Sequence, residues 1–156
     1  MKKLSLLYIL FLLACSKNDP DPGVGPLTLE FDNRLEDHPG FTITYDVTEI
    51  KLKRDDGYVF DNKSQSYHVD ASDEGSQEIS IKDIPSGNYT EVTFTVKSMN
   101  VSGDFEFQSD ISTYVLPMSG APVRPEHEPE VHLIFSVDKV NSNVQEAFTV
   151  DHIHAN

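Results

Sequence analysis

The chain has no tryptophan and a single cysteine, Cys15, among 156 residues. One cysteine excludes an internal disulfide framework, so stability has to come from a packed core. Positive charge is also scarce: 12 Lys and Arg stand against 26 Asp and Glu, for a net charge of −14. That balance excludes nucleic acid as a partner, because a polyanion requires a basic footprint. It equally excludes electrostatic docking on anionic headgroups. No run of ten or more residues keeps a helical period, and no apolar stretch reaches the roughly 18 residues of a membrane-spanning helix. A Gly-x-Ser-x-Gly elbow, a phosphate-cradling glycine loop and a dinucleotide fingerprint are all missing. With the only thiol at Cys15, nucleophilic catalysis has no obvious carrier and the chain reads as a non-enzyme. A hydrolase built on paired carboxylates is the enzymatic alternative, and it would need a measured separation across a cleft.

What is present begins with an address. Lys2 and Lys3 precede an apolar run over residues 4–13, followed by Leu12-Leu13-Ala14-Cys15. Charge, short apolar segment, small residue and cysteine in this order resemble the lipobox of bacterial lipoproteins, with residues 1–14 cleaved as a signal peptide and Cys15 acylated. An ordinary secretory peptide that contains a cysteine is the alternative. Cleavage would remove two lysines, leaving 10 basic residues and a net charge of −16. Residues 15–25 then form a lipidated, flexible tether rich in Pro, Gly and Asp. Asp19 and Asp21 resemble the acidic export tags of surface lipoproteins. The expected location is the bacterial cell envelope, lipid-anchored, at the outer membrane and facing either the periplasm or the surface. The lipid bilayer is the expected partner, held by the acyl chains rather than by charge.

Residues 26–156 read as one domain, and alternation dominates it. Leu27, Leu29 and Phe31 alternate with Thr28, Glu30 and Asp32. Phe41, Ile43, Tyr45 and Val47 do the same, and then the apolar parity switches to Ile50 and Leu52, which predicts a bulge near Thr48-Glu49. Asp55-Asp56-Gly57 predicts a hairpin turn. Ile79 and Ile81, then Val92, Phe94 and Val96, flank a Pro85-Ser86-Gly87-Asn88 turn, read as a central hairpin. Val131, Leu133, Phe135 and Val137 form a late strand, and Phe148 and Val150 open the last. Residues 120–130, with three prolines, read as a loop, and residues 140–147 as a single helical turn at most. The prediction is an all-β antiparallel sandwich of about eight or nine strands, Ig-like or Greek-key, with little helix. A domain of this size buries roughly 70% of its unfolded surface and needs no staples.

The histidines carry the sharpest chemistry. On a strand, His152 and His154 point to one side with Cα atoms about 6.6 Å apart. Two imidazoles at that spacing can reach one metal ion at about 2.0 Å. His132 or His127 can supply a third nitrogen, and Glu126, Glu128, Glu130 and Asp151 can ligate or orient. Imidazole donors suit copper or zinc. The plain alternative is a solvated chain end making ordinary hydrogen bonds. Asp70 and the acidic residues after it offer a calcium loop or, more simply, a polar turn. Tyr45, Tyr58, Phe60, Tyr67 and Tyr89 can line a glycan surface or pack the core, and the strand register of Tyr45 and Tyr89 favours the core.

The order of motifs resembles the MbnP-like family, the methanobactin-associated copper-binding proteins. The matching stretches are Leu27-Thr28-Leu29-Glu30-Phe31-Asp32-Asn33, Tyr45-Asp46-Val47-Thr48-Glu49-Ile50-Lys51-Leu52, Asp56-Gly57 and Tyr67-His68-Val69-Asp70. Ile84-Pro85-Ser86-Gly87-Asn88-Tyr89 with Val92-Thr93-Phe94-Thr95-Val96 is the closest match. A second family of sandwich lipoproteins, the DUF4382-like proteins, shares the Ile-Pro-Ser-Gly-x-Tyr type of turn. The first resemblance implies a β-sandwich that binds copper in the envelope. The chain departs from it in one respect. Members carry a Trp-containing segment after the central hairpin, and an oxidised tryptophan belongs to the copper site of the type member; this chain has no Trp. The expected function is therefore a membrane-anchored, non-enzymatic lipoprotein that binds copper or a related metal through His152, His154 and His132. A surface module for a glycan or an envelope protein, and a purely structural lipoprotein, are the alternatives.

Overall fold

A computed structural model describes residues 23–33, 42–63, 65–70, 76–102, 107–140 and 143–155. The leader, Cys15 with most of its tether, His38 and residues 71–75 of the acidic turn lie outside them. Nine strands follow one another: β1 Val24–Asn33, β2 Thr42–Arg54, β3 Val59–Asn62, β4 Tyr67–Asp70, β5 Gln77–Pro85, β6 Gly87–Ser102, β7 Phe107–Val123, β8 Pro129–Val140 and β9 Asn143–Ala155. They form two sheets. One runs β5-β1-β8-β9, the other β3-β2-β6-β7, with β4 also paired to β2. Pairing is antiparallel except between β1 and β8, which run parallel.

The alternating residues meet between the sheets. Leu27, Leu29 and Phe31 of β1 join Tyr45 and Val47 of β2, Val92 and Phe94 of β6, and Val131, Leu133 and Phe135 of β8 in one core, each at most 1% exposed. Phe148 sits at its aromatic centre, edge-on to Phe31, Tyr45, Phe94 and Tyr114 with ring centroids 4.6–6.2 Å apart. Burial raises the Tyr45 hydroxyl well above the ordinary tyrosine range, since a phenolate has no solvation there.

Parity switches coincide with residues in left-handed backbone. Glu49 (φ 53°) lies between Val47 and Ile50, where the sequence predicts a bulge, and β2 shifts register there against β6. Asp83 (φ 58°) separates Ile81 from Ile84, and Ser98 (φ 53°) separates Val96 from Met99. In each case the extra residue returns the next apolar side chain to the core face. Asp56-Gly57 makes the predicted β2–β3 turn, with Gly57 at φ 89° and its N–H donating to Arg54 O at 2.9 Å.

Four expectations change. The Pro85-Ser86-Gly87 turn is not a hairpin: β5 pairs with β1 in one sheet while β6 pairs with β2 and β7 in the other. Two half-buried strands around a turn look alike in sequence whether they pair or arch between sheets. The arch is fastened by Tyr89, whose hydroxyl donates to Pro85 O at 2.7 Å, a tyrosine corner; burial pushes that hydroxyl up to about 12. Residues 120–123 are strand rather than loop, because β7 is a sheet edge where Pro117 and Pro122 pair with Glu91 and Asn88 without a second neighbour. Residues 140–147 form a β8–β9 pairing rather than a helical turn. The sheet on the β1 side is mixed, since β1 lies parallel to β8.

Candidate metal centre

The outer face of the β5-β1-β8-β9 sheet gathers the polar residues that alternation turns away from the core. Two rows cross it. Glu30 of β1 faces His132 of β8, which faces His152 of β9; one step along, Thr28 faces Glu130, which faces His154. Glu30 and His132 are 102 positions apart in the chain, and only the parallel β1–β8 pairing makes them neighbours.

The last strand needs a correction of its own to contribute. Phe148 and Val150 point inward, and strict alternation would send His152 and His154 after them. Instead the register against β8 shifts by one residue: Leu133 faces Val150, yet His132 faces His152. Asp151 is the extra residue. The bulge turns Ile153 onto the core and His152 and His154 outward. The spacing argument therefore places the two histidines on a common face, and the bulge determines which face.

His132, His152 and His154 bring their ligand atoms within 4.8 Å of one another. Glu30, Glu130 and His132 form a second such group. His132 is held from both sides and is only 18% exposed. Its Nδ1 lies against Glu30 Oε2, and its Nε2 stands 3.4 Å from Glu130 Oε1. Glu30 Oε2 and His132 Nε2 are nonetheless buried atoms with no hydrogen-bond partner, which is a costly arrangement unless a cation satisfies them. The rings of His132 and His152 stack at 3.8 Å and 18°, whereas His154 stands edge-on to both at 81°. Ring lone pairs lie in the ring plane, so parallel stacked imidazoles do not aim at one point. For both to reach one ion, His152 has to turn out of the stack. It is 39% exposed and tied only to its neighbour, through Nδ1 to Asp151 Oδ2 at 2.7 Å.

The other candidates are placed elsewhere. His127 sits in the turn after β7, its N–H donating to Arg124 O. Glu126 is exposed in that turn. Glu128 accepts from Thr28 Oγ1 at 2.8 Å and Ser80 Oγ at 3.2 Å, clamping the turn to the sheet. His68 pairs with Asp46 at 2.9 Å in the other sheet. Tyr45 and Tyr89 are core residues, and Phe60 and Tyr67 pack against the core. Among the described residues Tyr58 is the one exposed aromatic. Glu30 went unnoticed in the sequence. Its only local signal is an outward position on β1, shared by many carboxylates.

The MbnP family model matches residues 24–105, more than half of the chain. The chain belongs to the MbnP family. That family is associated with methanobactin copper handling. No curated protein and no solved structure matches the chain. The MbnP match spans β1 to β6 and includes Glu30, but it ends before β7 and so before all three histidines. In this MbnP chain the donors are imidazole nitrogens and carboxylate oxygens, a set that suits copper or zinc. The buried, unpartnered His132 Nε2 is the observation on which that fit rests.

Proposed function

We propose that this chain is a non-enzymatic metal-binding lipoprotein of the bacterial cell envelope, anchored through Cys15 and holding a copper ion with His132, His152 and His154; zinc is the other ion these donors suit. One observation carries the reading. His132 Nε2 is buried, makes no hydrogen bond, and faces a carboxylate oxygen at 3.4 Å. A carboxylate against Nδ1 draws the ring proton to that side, so Nε2 presents a lone pair. A lone pair and a carboxylate oxygen repel at that distance, and a bound cation reverses the sign of the interaction. Family membership supports copper in particular, and the lipobox-like leader supports the envelope.

The test is titration of the full chain with copper and with zinc, against the His152→Ala/His154→Ala double variant. Wild type is expected to bind one ion per chain and the variant to lose it. Absence of binding by the wild type, or equal binding by the variant, overturns the reading. A module for another envelope protein is the second reading, and one feature favours it. Ile111 and Val115 are 66% and 57% exposed on the same side of edge strand β7, and exposed apolar edges attract partner strands.

A further inference from the structure

The metal reading leaves the carboxylates unassigned, and their geometry is the more informative part of the centre. We propose that Glu130 is a fourth ligand and Glu30 the residue that positions His132, so that the site selects a divalent transition-metal ion, Cu(II) or Zn(II), over monovalent copper. The inference rests on the metal-binding reading and specifies which ion it serves.

The spacing is the first argument. Two ligands of a tetrahedral ion with bonds of about 2.1 Å are separated by about 3.4 Å along the tetrahedron edge. His132 Nε2 and Glu130 Oε1 are 3.4 Å apart. This edge is already at ligand spacing and requires no side-chain movement. His154 follows from the same row, since it faces Glu130 across the β8–β9 pairing and its ring is edge-on to His132. Rotation of His152 then completes an N3O set.

Chemistry is the second argument. Monovalent copper is soft and is satisfied by few ligands, preferably sulfur or imidazole; carboxylate oxygen favours harder, more highly charged ions. Among the described residues no Met or Cys joins this group: Met99 and Met118 are buried in the core. Each carboxylate interacts with the full charge of the ion, so a second positive charge gains more from Glu130 than a single one does. Glu30 acts differently. It touches the far nitrogen of His132 and holds the ring edge-on to the ion, the role a carboxylate plays behind a metal-bound imidazole.

The experiment measures affinities of the full chain for Cu(II), Zn(II) and, anaerobically, Cu(I), by competition with chromophoric chelators, together with the EPR spectrum of the Cu(II) form. Glu130→Gln is expected to weaken both divalent ions by about tenfold or more, on the scale of losing a supporting carboxylate, to leave Cu(I) affinity unchanged, and to shift the EPR parameters as an oxygen donor leaves. Glu130→Ala repeats the measurement without an amide oxygen in the ligand's place. Glu30→Gln is expected to weaken all three ions by about 10–100-fold, because it acts through His132 rather than on the charge of the ion. If Glu130→Gln and Glu130→Ala leave the ratio of divalent to Cu(I) affinity and the EPR spectrum as in wild type, the inference is wrong while metal binding stands. If the wild-type chain binds none of the three ions, the underlying reading fails instead.

Discussion

Deleting Asp151 should leave the fold and the histidine cluster in place, although it removes a residue from the strand that carries two of the three histidines. In the present register Val150 faces Leu133 and His152 faces His132, with Asp151 bulged between them. Without Asp151 the same pairs follow one another in regular alternation. The loss is the contact of Asp151 with His152 at 2.7 Å, an exposed pair of the kind that contributes about 0.2–1 kcal/mol. Deleting Thr149 instead offers two poor repairs. Either Val150 turns outward opposite Ile134 and Asp151 turns inward opposite Leu133, or Phe148 leaves the aromatic centre. The first exposes a valine, at up to about 1.5–3 kcal/mol, and buries a carboxylate, at several kcal/mol more. The expected cost is thus about 4 kcal/mol or greater, and at about 2–4 °C per kcal/mol the melting temperature falls by about 8–16 °C or more. The deletion of Asp151 should move it by no more than about 4 °C. Thermal unfolding followed by circular dichroism, with and without excess copper, reads both quantities. Equal melting of the two deletion variants, or loss of copper-dependent stabilisation when Asp151 alone is removed, refutes the assignment of Asp151 as a dispensable bulge.

Gly25→Ala places a Cβ 2.2 Å from the backbone oxygen of Arg124, which cannot swing away, whereas Gly87→Ala meets the flexible Arg54 side chain at 2.1 Å. Urea unfolding should show Gly25→Ala as the more damaging, by about 1–3 kcal/mol; the reverse order contradicts the close approach of β1 to the β7–β8 turn. The Arg54 guanidinium hydrogen-bonds the Asp56 carboxyl and lowers it from 3.8 to about 2. A depressed folded-state pKa means that its stabilising contribution is complete above pH 3.8 and is lost as pH falls through about 2. Arg54→Gln should return the Asp56 carboxyl towards 3.8 in an NMR titration, and a value still near 2 would assign the shift to something other than Arg54. Cys15→Ser should release the protein from the membrane fraction into the soluble one, and its retention with membranes would rule out the acyl anchor.

What the chain's residues determine locally is the inward face of each strand. Alternation over Leu27-Leu29-Phe31, Val92-Phe94-Val96 and Val131-Leu133-Phe135 depends only on the period of an extended backbone, and all nine of these residues are at most 2% exposed. The parity switch at Glu49 is equally local, and so is the pairing of His152 with His154 on one side. The lipobox-like leader is a linear signal that no fold is needed to read. Tertiary structure decided which strands are neighbours. Residues 79–99 show this well: their pattern describes two half-buried strands and a turn, yet the turn carries the chain from one sheet to the other. Strand adjacency is a long-range property set by how whole sheets bury their faces, and it leaves no mark on the local period. Hence Glu30 could not be assigned to His132 in advance, since β1 and β8 meet only once the sandwich has closed. The bulge at Asp151 belongs to the same class: it exists because Ile153 is worth burying and β8 offers the register in which to do so. That choice puts the imidazoles of β9 beside the carboxylates of β1 and β8.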